Sequence, residues 1–170
     1  RRRLREAPTL RLSPEYDGIE FLYANDRHPD KLFALNILAW ALRADGCVVA
    51  LVPWLNRLMA ASELADPLNG RWEGFRFAGG DDLFTQAPDY KVRELEAAAA
   101  YFGSMPGASA HQEIPDTIGT HVVFSDDDFH SLRLQEIVSW RLEATGDIRA
   151  LVADETRMTR TPVLPGDNCL

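Results

Sequence analysis

The amino-acid sequence predicts an α+β fold whose central sheet is built from two pseudo-repeated β-α-β halves, about residues 19–52 and 119–152, with a helix-strand-helix insertion between them. A doubly wound α/β sheet is the alternative arrangement of the same elements. Three observations lead there. The second half repeats the first at a constant offset of 100, each half carries apolar residues at helical spacing that end at a glycine, and short β-branched and aromatic runs flank them.

At that offset Asp126 falls on Asp26, Leu132 on Leu32, Ile137 on Ile37, Trp140 on Trp40 and Leu142 on Leu42. The register continues through Gly146 on Gly46 and Ala150-Leu151-Val152 on Ala50-Leu51-Val52. These are the residue types that set a core and a helix stop, so residues 1–170 read as a single globular domain with an internal duplication.

Along the chain, Thr9–Ser13 reads as an early strand. Ile19–Tyr23 and Thr120–Phe124 are the first strands of the two halves, on their β-branched and aromatic content. Each leads into an acidic loop. Asn25-Asp26-Arg27-His28-Pro29 places a proline where a first helical turn accepts one, and Ser125-Asp126-Asp127-Asp128 offers N-caps with a charge that suits a helix N-terminus. Helices over about Pro29–Ala44 and Asp128–Ala144 follow from Leu32, Leu35, Ala39 and Leu42 in one and Leu134, Val138 and Leu142 in the other. Gly46 and Gly146 then take the left-handed conformation that closes a helix, and Cys47–Val52 and Ile148–Ala153 complete each unit as strands.

The insertion starts with a helix over Trp54–Ala65, carrying Leu55, Leu58, Met59 and Leu64 on one face. Arg71–Ala78 alternates like a strand, Asp89–Phe102 is an amphipathic helix, and Ser104–Ile118, rich in Pro and Gly, is loop. A late strand near Thr159–Val163 pairs with the early one or caps a sheet edge.

Composition narrows the function classes. At 170 residues, 46% hydrophobic and 26% charged, the chain buries a core without help from disulfides or metals. A net charge of −8, with no dense Lys/Arg run after Arg1–Arg5, disfavours nucleic acid as a partner. The longest apolar stretch, Leu32 to Leu42, is too short to span a bilayer, so no membrane partner is expected. Cys47, placed in an apolar strand, and Cys169 form neither a disulfide framework nor a CxxC motif, which fits a cytoplasmic compartment. Abundant Arg and Ala beside only two lysines, Lys31 and Lys91, suggest GC-rich bacterial coding. Arg1–Arg5 leads into no apolar segment and is no intact secretory signal.

Two constellations could carry chemistry. If the two acidic loops converge, Asp26, His28, Asp126, Asp127, Asp128 and His130 supply carboxylates and imidazoles suited to Mg²⁺ or Mn²⁺ and to activating a bound water. Against that, Asp and Ser ahead of a helix serve equally as caps. In the insertion, Trp54, Trp72, Phe75, Phe77 and Phe84 make either an aromatic recognition surface or a minor core, while Trp40 and Trp140 are core anchors. No GxSxG, P-loop or GxGxxG motif is present in the sequence.

The sequence therefore favours a non-catalytic bacterial protein-interaction domain without a cofactor, an adaptor, regulator or inhibitor of a basic partner. The alternative is a divalent-metal-dependent hydrolase or phosphotransfer-type enzyme using the acidic loops.

Overall fold

The computed structural model describes residues 7–54, 57–64, 70–103, 112–125, 131–154 and 159–162. Within them the chain forms strands β1 (Thr9–Pro14), β2 (Ile19–Asn25), β3 (His28–Asn36), β4 (Ala39–Arg43), β5 (Val48–Trp54), β6 (Arg57–Ala60) and β7 (Gly70–Phe77). Helix α1 (Asp89–Gly103) follows, then β8 (Gln112–Pro115), β9 (His121–Ser125), β10 (Leu132–Leu142), β11 (Ile148–Asp154) and β12 (Thr159–Pro162).

The predicted α+β architecture of β-α-β halves, and the doubly wound alternative, are both overturned: the protein is mostly antiparallel sheet with a single α-helix among the described residues. Both repeat helices are strands. In the first half the physical reason lies in Ile37–Leu42, six consecutive residues each 6% exposed or less. A helix lying on a sheet leaves one side to solvent, whereas a strand between two layers buries both faces and reads as an unbroken apolar run. Such a run satisfies the helical spacing of leucines by accident. The glycines do adopt the left-handed conformation, at φ 84° for Gly46 and 87° for Gly146. They close hairpins instead of helices. Gly46 N–H donates to the Arg43 carbonyl and Arg43 N–H to the Cys47 carbonyl, both at 2.9 Å, the pattern of a three-residue loop ending in a left-handed residue. Gly146 and Glu143 repeat it at 2.9 Å, with Glu143 N–H on the Asp147 carbonyl at 2.8 Å.

Within the insertion, the predicted strand and second helix occur as β7 and α1, but the predicted Trp54–Ala65 helix is replaced by the end of β5, β6 and a 3₁₀ turn at Ala61–Glu63. The predicted loop Ser104–Ile118 contains β8. Cys47 is exposed in the hairpin turn, outside the apolar strand interior predicted for it.

Three sheets result. The first runs β1-β4-β5-β6, the second β3-β2-β7, and the third β8-β10-β11-β12 with β9 on the N-terminal part of β10. The first sheet is the middle layer. Its face bearing Trp40, Leu42, Ala50 and Val52 packs with Ile19, Phe21, Phe75 and, from α1, Leu95. Its opposite face, with Leu12, Ala39, Ala41 and Leu51, packs with Ile114, Ile137, Trp140, Leu142 and Val152 of the third sheet. Alternation along β4 sends its side chains to two different cores.

The two halves pair alike. Trp40 lies opposite Ala50 and Leu42 opposite Val48; Trp140 lies opposite Ala150 and Leu142 opposite Ile148. β10 corresponds to β3 and β4 run together, crossing from one hairpin to the next sheet at Val138 as the chain does at Ile37-Leu38. The offset is not constant, however. Phe21 pairs with Leu35 where Val122 pairs with Gln135, so β9 is displaced from β2 by 101 whereas β10 is displaced from β3 and β4 by 100.

Between the halves, the Gln112 amide acts as a surrogate strand residue. It accepts from Leu12 N–H at 2.8 Å and donates to the Leu12 carbonyl at 2.7 Å, tying β8 to the open edge of β1. Close by, a Cβ added at Gly146 would sit 2.5 Å from the Pro8 Cβ, whereas one added at Gly46 would meet nothing within 4 Å. Gly46→Ala is therefore expected to cost about 1–2 kcal/mol from the left-handed backbone alone. Gly146→Ala adds a steric penalty of about 1–3 kcal/mol. Urea denaturation of both variants checks this, and equal losses would show that Pro8 moves aside freely.

Candidate functional site

Of the residues proposed for metal binding, Asp26 and His28 lie at the β2–β3 hairpin. Asp26 occupies the turn between β2 and β3, where Arg27 N–H donates to the Asn25 side chain at 2.8 Å. His28 opens β3 with its ring 6.3 Å from that of Phe33, and both Asp26 and His28 are exposed. Asp126, Asp127, Asp128 and His130 lie outside the described residues. Among the described residues no group of three His, Cys, Asp or Glu side chains is placed to hold an ion. The helix-capping role expected of these loops does not apply, because strands follow them.

The five insertion aromatics are mostly core. Phe75 is buried and stacks edge-on against Trp40 at 5.1 Å and Trp72 at 5.3 Å, and Phe84 lies 5.8 Å from Phe75. Trp54, Trp72 and Phe84 are half-buried against the same core, which leaves Phe77 as the exposed member.

The carboxylates that the structure uses most were not singled out from the sequence. Trp40 is fully buried, and its indole N–H donates to Glu15 Oε2 at 2.6 Å. Glu15 Oε1 in turn accepts from the backbone N–H groups of Asp17 and Ile19. Trp140 repeats the device: its indole donates to Asp116 Oδ2 at 3.0 Å, and Asp116 Oδ1 accepts from the N–H groups of Ile118, Gly119 and Thr120. The signal is legible at an offset of 101 but not of 100: Pro14-Glu15-Tyr16-Asp17-Gly18 matches Pro115-Asp116-Thr117-Ile118-Gly119. Burial pushes Asp116 up, but the surrounding donors outweigh it and hold its carboxyl below its ordinary value. Those donors are the Trp140 indole, the backbone N–H groups, and the adjacent Thr120 hydroxyl, which lies close without good hydrogen-bond geometry.

A second polar cluster docks α1. Lys91, buried on the helix, places its ammonium 3.3 Å from Ser13 Oγ, 3.2 Å from the Pro14 carbonyl, 3.6 Å from Asp17 and 3.7 Å from Glu94. Ser13 donates to Glu94 at 2.7 Å, and Tyr90 donates to Asp17 at 2.8 Å. Burial, with the hydrogen bond to Asp17 and the charges of Asp17, Glu15 and Glu94, drives the Tyr90 hydroxyl well above its ordinary value. A serine beside a lysine resembles a nucleophile with its base, but here Ser13 is 3% exposed and the ammonium is shared among two carboxylates and two neutral oxygens. The cluster fastens the helix to β1.

Among the described residues, one strand edge differs from the others. β2 is flanked by β3 and β7, whereas β9 pairs with β10 alone among the described strands. Other strands at sheet edges carry charge or proline: Pro29, Asp30 and Lys31 in β3, Arg57 in β6, Arg71, Glu73 and Arg76 in β7, and Arg160 and Pro162 in β12. β9, His121-Val122-Val123-Phe124-Ser125, has no Asp, Glu, Lys, Arg or Pro. Such guards normally keep edges from pairing with other chains. On one face of this hairpin Val122 and Phe124 pack into the core, and Arg133 stacks on the Phe124 ring at 5.1 Å. On the other, Leu132 and Leu134 are 64% and 66% exposed.

No family model, curated protein or solved structure matches the chain. No helix among the described residues is long and apolar enough to cross a membrane.

The Asp116 device makes a pH-dependent prediction. A carboxyl held low in the folded state contributes stability that is full above its unfolded value and is lost as pH falls through the folded one. Asp116→Asn is therefore expected to lower the unfolding free energy by about 1–2 kcal/mol at neutral pH. That gap from wild type should begin to narrow below about pH 4 and close only as pH falls through the lower folded value. Urea melts from pH 7 to about pH 2 measure it; a gap that stays constant throughout would show that the charge contributes nothing.

Proposed function

We propose that this chain is a non-catalytic protein-interaction domain whose binding element is the β9–β10 hairpin. The observation that carries the reading is the uncharged outer edge of β9 beside the exposed Leu132 and Leu134. An edge strand without guards and a contiguous apolar face are what a soluble chain keeps when another polypeptide covers them. The net charge of −8 steers such a domain toward partners rich in Lys and Arg. An adaptor, regulator or inhibitor acting on a basic partner in the bacterial cytoplasm, without a cofactor, fits these features. The clusters richest in titratable groups are engaged in holding Trp40, Trp140 and α1, which supports binding over catalysis.

A photo-reactive amino acid placed at Leu134, and separately at the exposed Glu96 of α1, tests the reading in extract of the source cells. The Leu134 position is expected to give a discrete adduct with a second polypeptide that Glu96 does not give. No adduct, or the same adducts from both positions, would remove the hairpin as the binding element.

A further inference from the structure

We infer that β9 binds its partner by strand addition, taking an extended, net-basic, aromatic-bearing segment antiparallel in the register that β7 occupies on β2. This rests on the reading of the hairpin as the binding element. The molecule contains its own template for the occupied state. β2 and β9 pair with their neighbouring strands in the same register, Phe21 and Tyr23 corresponding to Val122 and Phe124. On the far side of β2 lies β7, antiparallel, with Phe75 opposite Phe21 and Trp72 opposite Tyr23. No strand lies on the far side of β9 among the described residues.

The side chains that β7 contributes also lack counterparts in the second half. Phe75 meets Trp40 edge-on at 5.1 Å, while Trp140 has no aromatic neighbour among the described residues. Val122 takes the position of the larger Phe21, which leaves more room for an incoming ring. The charge is suitable as well. β7 itself carries Arg71 and Arg76 against Glu73, a net positive strand within a chain of net charge −8. An incoming segment of this kind satisfies the outward backbone groups of β9 and covers the core end of the hairpin.

The probe is a synthetic peptide with the sequence of Gly70–Phe77, titrated into the isotopically labelled full chain and followed by amide shifts and hydrogen exchange. Expected are shifts centred on His121–Ser125 and at least about tenfold slower exchange of the outward-facing β9 amides, with saturation below about 1 mM peptide. A peptide carrying Arg76→Pro, which lacks a donor on the side that faces β2 in the template, is expected to leave them unchanged. In the chain, Val123→Lys is expected to abolish the response, and His121→Pro provides a second edge block should the first perturb the hairpin. No response at about 1 mM, an equal response to the proline peptide, or changes centred on β2 would overturn strand addition. Concentration-dependent β9 shifts without peptide would also overturn it, by showing that a second copy fills the edge. An adduct from Leu134 in extract together with an inert peptide would leave the binding reading standing and strand addition refuted; absence of both would end both.

Discussion

An indole buried at the centre of a layered sheet protein must find an acceptor for its N–H, and that requirement organises each half of this molecule. Trp40 has no access to water, so its donor depends on Glu15, and the Glu15 carboxylate depends on the backbone N–H groups of the turn that carries it. Leaving either group unsatisfied in the interior costs a few kcal/mol, comparable with a sizeable share of a domain's stability. The turn between β1 and β2, the position of β4 and the crossing at Ile37-Leu38 are thus mutually fixed: Glu15 N–H also donates to the Leu38 carbonyl, and Asp116 N–H to the Val138 carbonyl. A carboxylate wrapped by N–H groups needs no cation beside it.

How the sequence misleads is instructive in physical terms. The strands were largely legible, because β-branched and aromatic runs at Ile19–Tyr23, Ile148–Ala153 and Arg71–Ala78 carry their own signal. α1 was legible because one side of it faces water. The stretch around Ile37–Leu42 was not, since a strand buried on both faces loses the alternation that identifies it, and leucines three and four apart then imitate a helix. Left-handed glycine was inferred correctly at Gly46 and Gly146, but the same backbone conformation ends helices and closes hairpins. Position along the chain cannot separate the two.

The candidate site was less legible than the fold. Residue chemistry draws attention to Asp26, His28 and the insertion aromatics, yet topology decides which residues remain available, and it assigns Phe75 to the core and β9 to an edge. The sequence did hold one usable trace, the absence of any charged residue or proline in His121–Ser125. That absence acquires meaning only once the strand is seen to have no second neighbour among the described residues. Similarly, the pairing of Glu15 with Trp40 becomes visible as a recurrence only when the offset changes from 100 to 101 within the repeat.

The two halves share a pairing scheme but not an environment. β7 and α1 are added to the first half alone, closing the edge of β2 and covering the Trp40 face of the middle sheet, with Lys91 fixing the helix in place. The second half is held on the middle sheet through Ile114, Trp140 and Leu142 and on β1 through the Gln112 amide. Leu132 and Leu134, 64% and 66% exposed, stand apart from that packing. Among the described residues the halves therefore differ at one edge: β7 completes β2, and no strand lies beside the corresponding side of β9.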